Sequence, residues 1–270
     1  MGVLDDKVVV VTGSTRGIGR AIAEACSEAG AAVVISSRNA LAVEETAAAL
    51  AAKARRVAGA VCDVRNGVDV ERLLDETIDA FGRVDVWINN AGVPQGIIPL
   101  DEMSEEEACQ IITVNVIGTM NGCRVALPYL KKNGGTIINI TGKGGGGRPS
   151  AYTSVYAASK AAVSSLTKSL AAENRGSPVS IHLLNPGMVP TDFYRDMRVG
   201  KNLEARAAGL PNVLSAIGVP PQEAGKLAVE IAAAKPGETT GKTYSAFKRG
   251  RMIRGLTRLL AMRVSGKIRA

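Results

Sequence analysis

Residues 8–19 read VVVVTGSTRGIG, and the rest of the chain is arranged around them. Four consecutive valines, Val8 to Val11, suit a strand buried on both faces, because β-branched side chains pack well on a pleated surface that has no polar side. Thr12-Gly13 breaks the run, Gly17 and Gly19 follow, and Ile18, Ala21, Ile22 and Ala25 then recur at helical spacing. A strand that turns through glycines into a helix aims free backbone N–H groups at an anion. Gly13 permits the sharp turn, Gly17 leaves room for a ligand against the backbone, and Gly19 lets helix and strand approach closely. The anion expected there is the pyrophosphate of a dinucleotide, held by the turn residues Gly13, Ser14, Thr15, Arg16, Gly17, Ile18 and Gly19. An ordinary tight strand–helix turn would show the same glycines, so other segments must decide.

Outward from this corner, short β-like runs alternate with longer helical patterns. The predicted strands are Val8–Val11, Ala32–Ser36, Arg56–Cys62, Val84–Asn89, Thr136–Ile140, Ser180–Leu184 and Lys242–Phe247. Helical patterns cover Arg20–Ala29, Leu41–Lys53, Val68–Phe81, Glu105–Lys131 and Val155–Ala172. Such alternation implies an α/β domain, a parallel sheet with helices on both faces. No linker or repeat divides residues 1–247, which read as one domain followed by a tail, 248–270.

Composition agrees. A hydrophobic fraction of 46% over 270 residues allows a large core, and 3% aromatic residues means that core is mostly Ala, Val, Ile and Leu. Cys26, Cys62, Cys109 and Cys123 show no CxxC spacing; they read as reduced core cysteines of a cytoplasmic protein, and no metal site is expected. No apolar run approaches a membrane span, and the N-terminus has no signal-peptide pattern. Met1-Gly2 hints at myristoylation, but Asp6 stands where that motif needs Ser or Thr. The net charge of +8 sits in the tail, whose eight basic residues face no acids; without them the body carries 25 basic and 25 acidic residues. No nucleic-acid partner is therefore expected.

The second strand runs Val33-Val34-Ile35-Ser36-Ser37-Arg38. A fold that binds NAD usually places an acid here for the ribose 2′-OH. This chain has none and offers Ser37 and Arg38, with Arg16 close by in the glycine turn. A guanidinium fork matches a 2′-phosphate, so NADP is favoured over NAD, unless both arginines are merely solvated. Asp63 and Val64 follow the third strand; the carboxylate can accept from an adenine amino group or cap the next helix. Asn89-Asn90-Ala91-Gly92 ends the fourth strand with small residues suited to close contact with a flat ligand.

Together these residues resemble the short-chain dehydrogenase/reductase family in its short single-domain form, over Asp6 to about Phe247. TGSTRGIG fits its TGxxxGxG turn and Asn89 to Gly92 its NNAG motif. Asn115 stands where it keeps a helix Asn, and Tyr156-Ala-Ala-Ser-Lys160 is its YxxxK. Asn185-Pro186-Gly187, continuing through Val189 to Thr191, matches the segment that holds the nicotinamide amide. The resemblance implies a doubly wound (Rossmann) sheet of seven parallel strands, a nicotinamide cofactor, and a homodimer or homotetramer paired through the small-residue face Ala157, Ala158, Ala161, Ala162 and Ser165. It also implies that Lys160 holds the nicotinamide ribose and that Asn115 anchors a water relaying protons to Lys160.

The chemistry is also readable directly. Tyr156 and Lys160 lie four apart in a helical stretch and share a face. A neighbouring ammonium should lower the phenol from its usual value near 10, so that Tyr156 can give a proton to a carbonyl oxygen or take one from an alcohol. The expected activity is hydride transfer between NADP(H) and a ketone or secondary alcohol; the alternative is a cofactor-binding sensor or scaffold with little turnover.

One departure bears on that choice. The family's Ser, which binds the substrate oxygen, usually lies thirteen residues before the Tyr; here that position is Lys143, in Thr141-Gly142-Lys143 followed by Gly144 to Gly147. Thr141 is the nearest hydroxyl and the first candidate, with Gly142 at the Ser position itself. Ser154 is a second donor, and the backbone of Gly144–Gly147 a third. Losing one oxyanion donor costs about 2.7–4 kcal/mol of barrier lowering.

For the substrate side, the resemblance implies a lid over Met188 to Gly218. Met188, Phe193, Tyr194, Met197 and Leu203 would supply an apolar lining, and Arg195 and Arg198 stand nearby. Pro94 to Pro99, with Ile97 and Ile98, would form another wall. His182, in a strand pattern, reads as packed rather than catalytic. Gly237 to Thr243 mimics a phosphate-binding loop but is one residue short and precedes a strand. In the tail, Met252, Ile253, Leu256, Leu259 and Leu260 oppose Arg251, Arg254 and Arg258 at helical spacing. Such a helix docks on the body or a sister subunit, or makes peripheral contact with an anionic membrane.

Overall fold

The computed structural model describes residues 2–53, 56–194, 197–247 and 257. The basic tail therefore lies outside the described residues, Thr257 apart. All seven predicted strands form: β1 (Val8–Thr12), β2 (Ala32–Ser37), β3 (Val57–Val61), β4 (Val86–Asn89), β5 (Gly135–Ile140), β6 (Val179–Asn185) and β7 (Thr243–Ser245). They build one parallel sheet in the order β3-β2-β1-β4-β5-β6-β7. The order reverses between β1 and β4, which is where a doubly wound sheet opens a crevice at its carboxyl edge.

The helices between them are α1 (Gly17–Glu28), α2 (Ala40–Ala51), α3 (Gly67–Phe81), α4 (Glu105–Ile112), α5 (Gly118–Asn133), α6 (Ser154–Glu173), α7 (Glu204–Ala208), α8 (Leu210–Ile217) and α9 (Pro221–Ala233). Two apolar clusters flank the sheet. One joins α1 and α9 through Val9, Val11, Ile22, Ala224 and Ile231; the other gathers Val10, Trp87, Leu73, Ala126 and Leu130 under α3 and α5. Alternate residues of β1 enter opposite clusters, as a strand buried on both faces requires. Cys26, Cys62 and Cys123 are buried free thiols, while Cys109, expected in the core, is exposed on α4; burial pushes the thiols of Cys26 and Cys62 up to about 12.

The long helix expected over Glu105–Lys131 is interrupted. Between α4 and α5, Thr113–Ile117 widen into one π-helical turn, and Asn115 sits within it, fully buried. Such bulges displace a side chain out of the ordinary helical register, which no periodicity in the sequence announces. His182 is buried in β6, as its pattern suggests: its ring accepts from the Lys242 N–H at 3.3 Å and meets Tyr244 edge-on.

Candidate active site

A single cleft of about 1530 Å³ runs along the carboxyl edge of the sheet. At one end, Thr12 Oγ1 accepts from the N–H groups of Asn90 and Ala91 at 3.0 and 3.1 Å. Asn90 Nδ2 donates in return to the carbonyls of Thr12 and Gly13. The ends of β1 and β4 are thus tied together, and Asn90, expected to serve the ligand, spends its amide on this tie.

Glycine is required at three places in the corner. Gly13 (φ +63°) would put a Cβ 2.8 Å from Ala91 Cα. Gly19 would put one 2.3 Å from both Asn90 Nδ2 and the Gly13 carbonyl. Gly17 (φ +59°) would meet nothing nearer than Thr191 at 3.6 Å, so its role is conformational and it leaves the approach from the cleft open.

The N-terminus of α1 faces the cleft through Arg16, Gly17, Ile18 and Gly19, and its first turn carries no acid. The N–H groups of such a helix start favour a negative charge. Thr15, Ser37, Arg38, Asp63, Val64, Ala91 and Gly92 line the same end. Ser14 does not: fully buried, it donates to the Val11 carbonyl at 2.7 Å and accepts from Ser36 N–H at 2.9 Å, bracing β1 against β2. Arg16 and Arg38 are exposed, and among the described residues neither makes an ion pair. Arg65 grips both oxygens of Asp63 and holds its carboxyl below the usual range. Asn66, not Asp63, caps α3.

Across the sheet, Pro186, Gly187, Val189 and Thr191 line the cleft. Gly187 (φ +76°) accommodates the close approach of Val219, 2.8 Å from where a Cβ would stand.

At the far end, Tyr156 and Lys160 project from α6 into the cleft. Lys160 Nζ lies 5.8 Å from the centre of the Tyr156 ring and donates to the Ile140 carbonyl at 3.1 Å. The expectation of an acidified phenol is overturned for the chain by itself. Burial, with Tyr194 a lesser cause, pushes the Tyr156 hydroxyl well above its usual value, and burial drops Lys160 to about 8. Desolvation penalises the charged form of each group, and here it outweighs their mutual attraction.

Asn115 does not line the cleft. Its Oδ1 accepts from Val93 N–H at 2.8 Å, and its Nδ2 donates to the Val93 carbonyl and to Ser159 Oγ. Ser159 in turn donates to the Tyr156 carbonyl at 2.7 Å. The amide expected to anchor a relay water is committed to binding the segment after β4 to the turn of α6 that carries the Tyr. Gln95, which sequence reasoning missed, acts from the other side: its Oε1 accepts from Tyr156 N–H at 2.9 Å, at the start of α6. Nothing in the local sequence marks it, because a loop glutamine has no periodic or motif signature.

The substituted serine is resolved by position. A Cβ on Gly142 would stand 2.8 Å from Tyr156 Oη and 3.8 Å from Lys160 Cγ. Gly142, therefore, is the residue beside the phenol. Thr141 is not a donor to that point: its hydroxyl pairs with Ser164 Oγ at 2.9 Å and lies near the Lys160 carbonyl. Ser154 lines a separate, shallow depression with Ala157, Ala158 and Ala161. Of the expected apolar lining, Met188, Tyr194 and Met197 face the cleft, as do Pro94, Gln95 and Ile97; Leu203 and Ile98 do not. The side chain of Phe193, and Arg195, fall outside the described residues. Arg198 binds Glu107 and the Glu102 carbonyl.

A doubly wound parallel sheet, a glycine-rich first corner and a Tyr–Lys pair at the opposite end of one cleft are the architecture of a Rossmann-type domain. The chain belongs to the short-chain dehydrogenase family, whose pattern it matches over residues 7–202. It is 44% identical over 193 residues to the chloroplastic chlorophyll(ide) b reductase NOL of Oryza sativa subsp. japonica, a match covering 68% of this chain and 56% of that protein. L-fucose dehydrogenase of Oryctolagus cuniculus is 38% identical over 192 residues, covering 71% of this chain and 66% of that one. The chain spans about half the length of the rice reductase. In structure it superposes on a short chain dehydrogenase from Mycobacterium smegmatis with a TM-score of 0.76 at 30% identity, covering 92% and 95% of the two chains. The family binds a nicotinamide dinucleotide, and the cradle of Gly13, Gly17, Gly19 and the α1 N-terminus suits one.

Proposed function

We propose that the protein is an NADP(H)-preferring oxidoreductase acting on a carbonyl compound or the corresponding alcohol. The observation that carries this is the single cleft that joins the α1 N-terminus and Arg38 to Tyr156 and Lys160. The residues of the first corner would hold the pyrophosphate, Arg16 and Arg38 the 2′-phosphate, and Pro186 to Thr191 the nicotinamide amide. When bound, such a cofactor supplies or accepts the hydride. Tyr156 Oη donates its proton to the carbonyl oxygen as the carbon is reduced, and takes one back in oxidation. Lys160 keeps positive charge against the ring and stabilises the phenolate left behind. Asn115, Ser159 and Gln95 act through Tyr156 and are positioning residues.

NADPH oxidation over a panel of aldehydes and ketones tests this, with NADH run in parallel. The proposal expects turnover with NADPH at least about tenfold better than with NADH, the effect of a charge-assisted contact to the extra phosphate. Tight NADPH binding with no turnover of any carbonyl would instead support a second reading, a cofactor-binding sensor. One observation favours that reading: Gly142 brings no hydroxyl to Tyr156 Oη.

A further inference from the structure

The substrate end of the cleft carries charge that the chemistry at Tyr156 does not use. Lys143 directly follows Gly142 and lines the cleft, and Arg206, on α7, lines it from the 188–218 segment. The two lie close enough that Arg206, after burial, helps hold the Lys143 ammonium below its ordinary value. Among the described residues neither cation makes an ion pair. The Arg206 guanidinium instead lies 5.0 Å from the centre of the Tyr152 ring, which orients its fork. Both cations are exposed on the cleft wall; two like charges on one wall repel, and an anion between them removes that cost. Arg198, by contrast, is neutralised by Glu107 and takes no part.

Asp192 lines the same cleft. The remaining wall there is largely apolar, with Ile97, Met188, Leu210 and Val213. We propose that the substrate is a carbonyl compound bearing a carboxylate on an apolar frame, the carboxylate held by Lys143 and Arg206 while the carbonyl faces Tyr156. Arg206 matches a carboxylate through two parallel N–H donors, and Lys143 adds a point charge. This inference rests on the oxidoreductase reading, since it takes Tyr156 as the end that meets the carbonyl.

The test compares 4-formylbenzoate with its methyl ester, using the full chain. Calorimetry should show the acid binding at least about tenfold tighter than the ester. That ratio should fall to about twofold or less in Lys143→Met/Arg206→Met, fall partway in Lys143→Met alone, and persist in Lys143→Arg. Equal binding of acid and ester, absence of acid binding, or a preference that survives the double substitution overturns the inference. NADPH oxidation measured on the same samples separates the two readings. Turnover of both compounds without preference removes the anion site and leaves the oxidoreductase. A carboxylate preference without turnover of either compound leaves the anion site and removes the oxidoreductase.

Discussion

At the nucleotide end of the cleft, Gly13 and Gly19 are hemmed in by Ala91, Asn90 and the Gly13 carbonyl, and a methyl group at either would collide. At the substrate end, a Cβ on Gly142 would also come as near as 2.8 Å, but to the hydroxyl at the tip of the Tyr156 side chain rather than to backbone. The first pair of glycines is demanded by packing. The last is pressed by a side-chain oxygen, so a larger residue there requires Tyr156 to shift. The comparison teaches that the two ends answer to different constraints: one is shaped by how closely two strand ends must meet, the other by what the reacting group requires.

The largest effect that can break this contrast is Tyr156→Phe. It should lower kcat by about 10³-fold, within the range for a lost general acid, while NADPH affinity changes by about twofold or less. Activity within about tenfold of the parent would mean that Tyr156 is packing, not chemistry.

Next comes the cost of burying Lys160. Its value falls from 10.5 to about 8 on folding, so between those values the unfolded chain binds more protons and stability rises with pH. The gain is on the order of 3 kcal/mol from about pH 8 upward. Lys160→Met should lack that rise in denaturant midpoints measured from pH 7 to 10. Parallel curves for the two proteins would show that the ammonium is not penalised at this site.

Gly142→Ser sharpens the comparison at the substrate end. Supplying the absent donor should raise kcat/KM by about tenfold or more, a fraction of what an oxyanion donor is worth. No gain, in a variant of unchanged stability, would show that the backbone already serves the oxygen. The smallest effect belongs to the nucleotide end. Arg38→Leu should raise the KM for NADPH by about tenfold and leave that for NADH nearly unchanged, since one charge-assisted contact is lost. Equal losses with both cofactors would place Arg38 away from the 2′-phosphate.

The positions of the seven strands, the glycine corner and the Tyr156–Lys160 pair were legible in the chain because each rests on local rules: β-branched runs, glycines at positive φ, and a spacing of four on a helix. Ser14, Thr141 and Asn115 illustrate where such rules end. Each lies beside the cleft in sequence, yet Ser14 turns to Ser36, Thr141 to Ser164, and Asn115 to Val93 and Ser159. Which way a short polar side chain turns depends on partners from distant segments. Gln95, Lys143 and Arg206 went unassigned for the same reason, since none belongs to a repeating pattern.

By itself, then, the sequence determined the sheet, the glycine corner and the spacing of Tyr156 and Lys160, all consequences of backbone geometry within a few residues. Tertiary structure decided the protonation balance of that pair, the identity of Gly142 as the residue at the phenol, and the placement of Lys143 and Arg206 on one cleft wall. Burial and through-space contact set those properties, and both exist only once segments far apart in the chain are packed against one another.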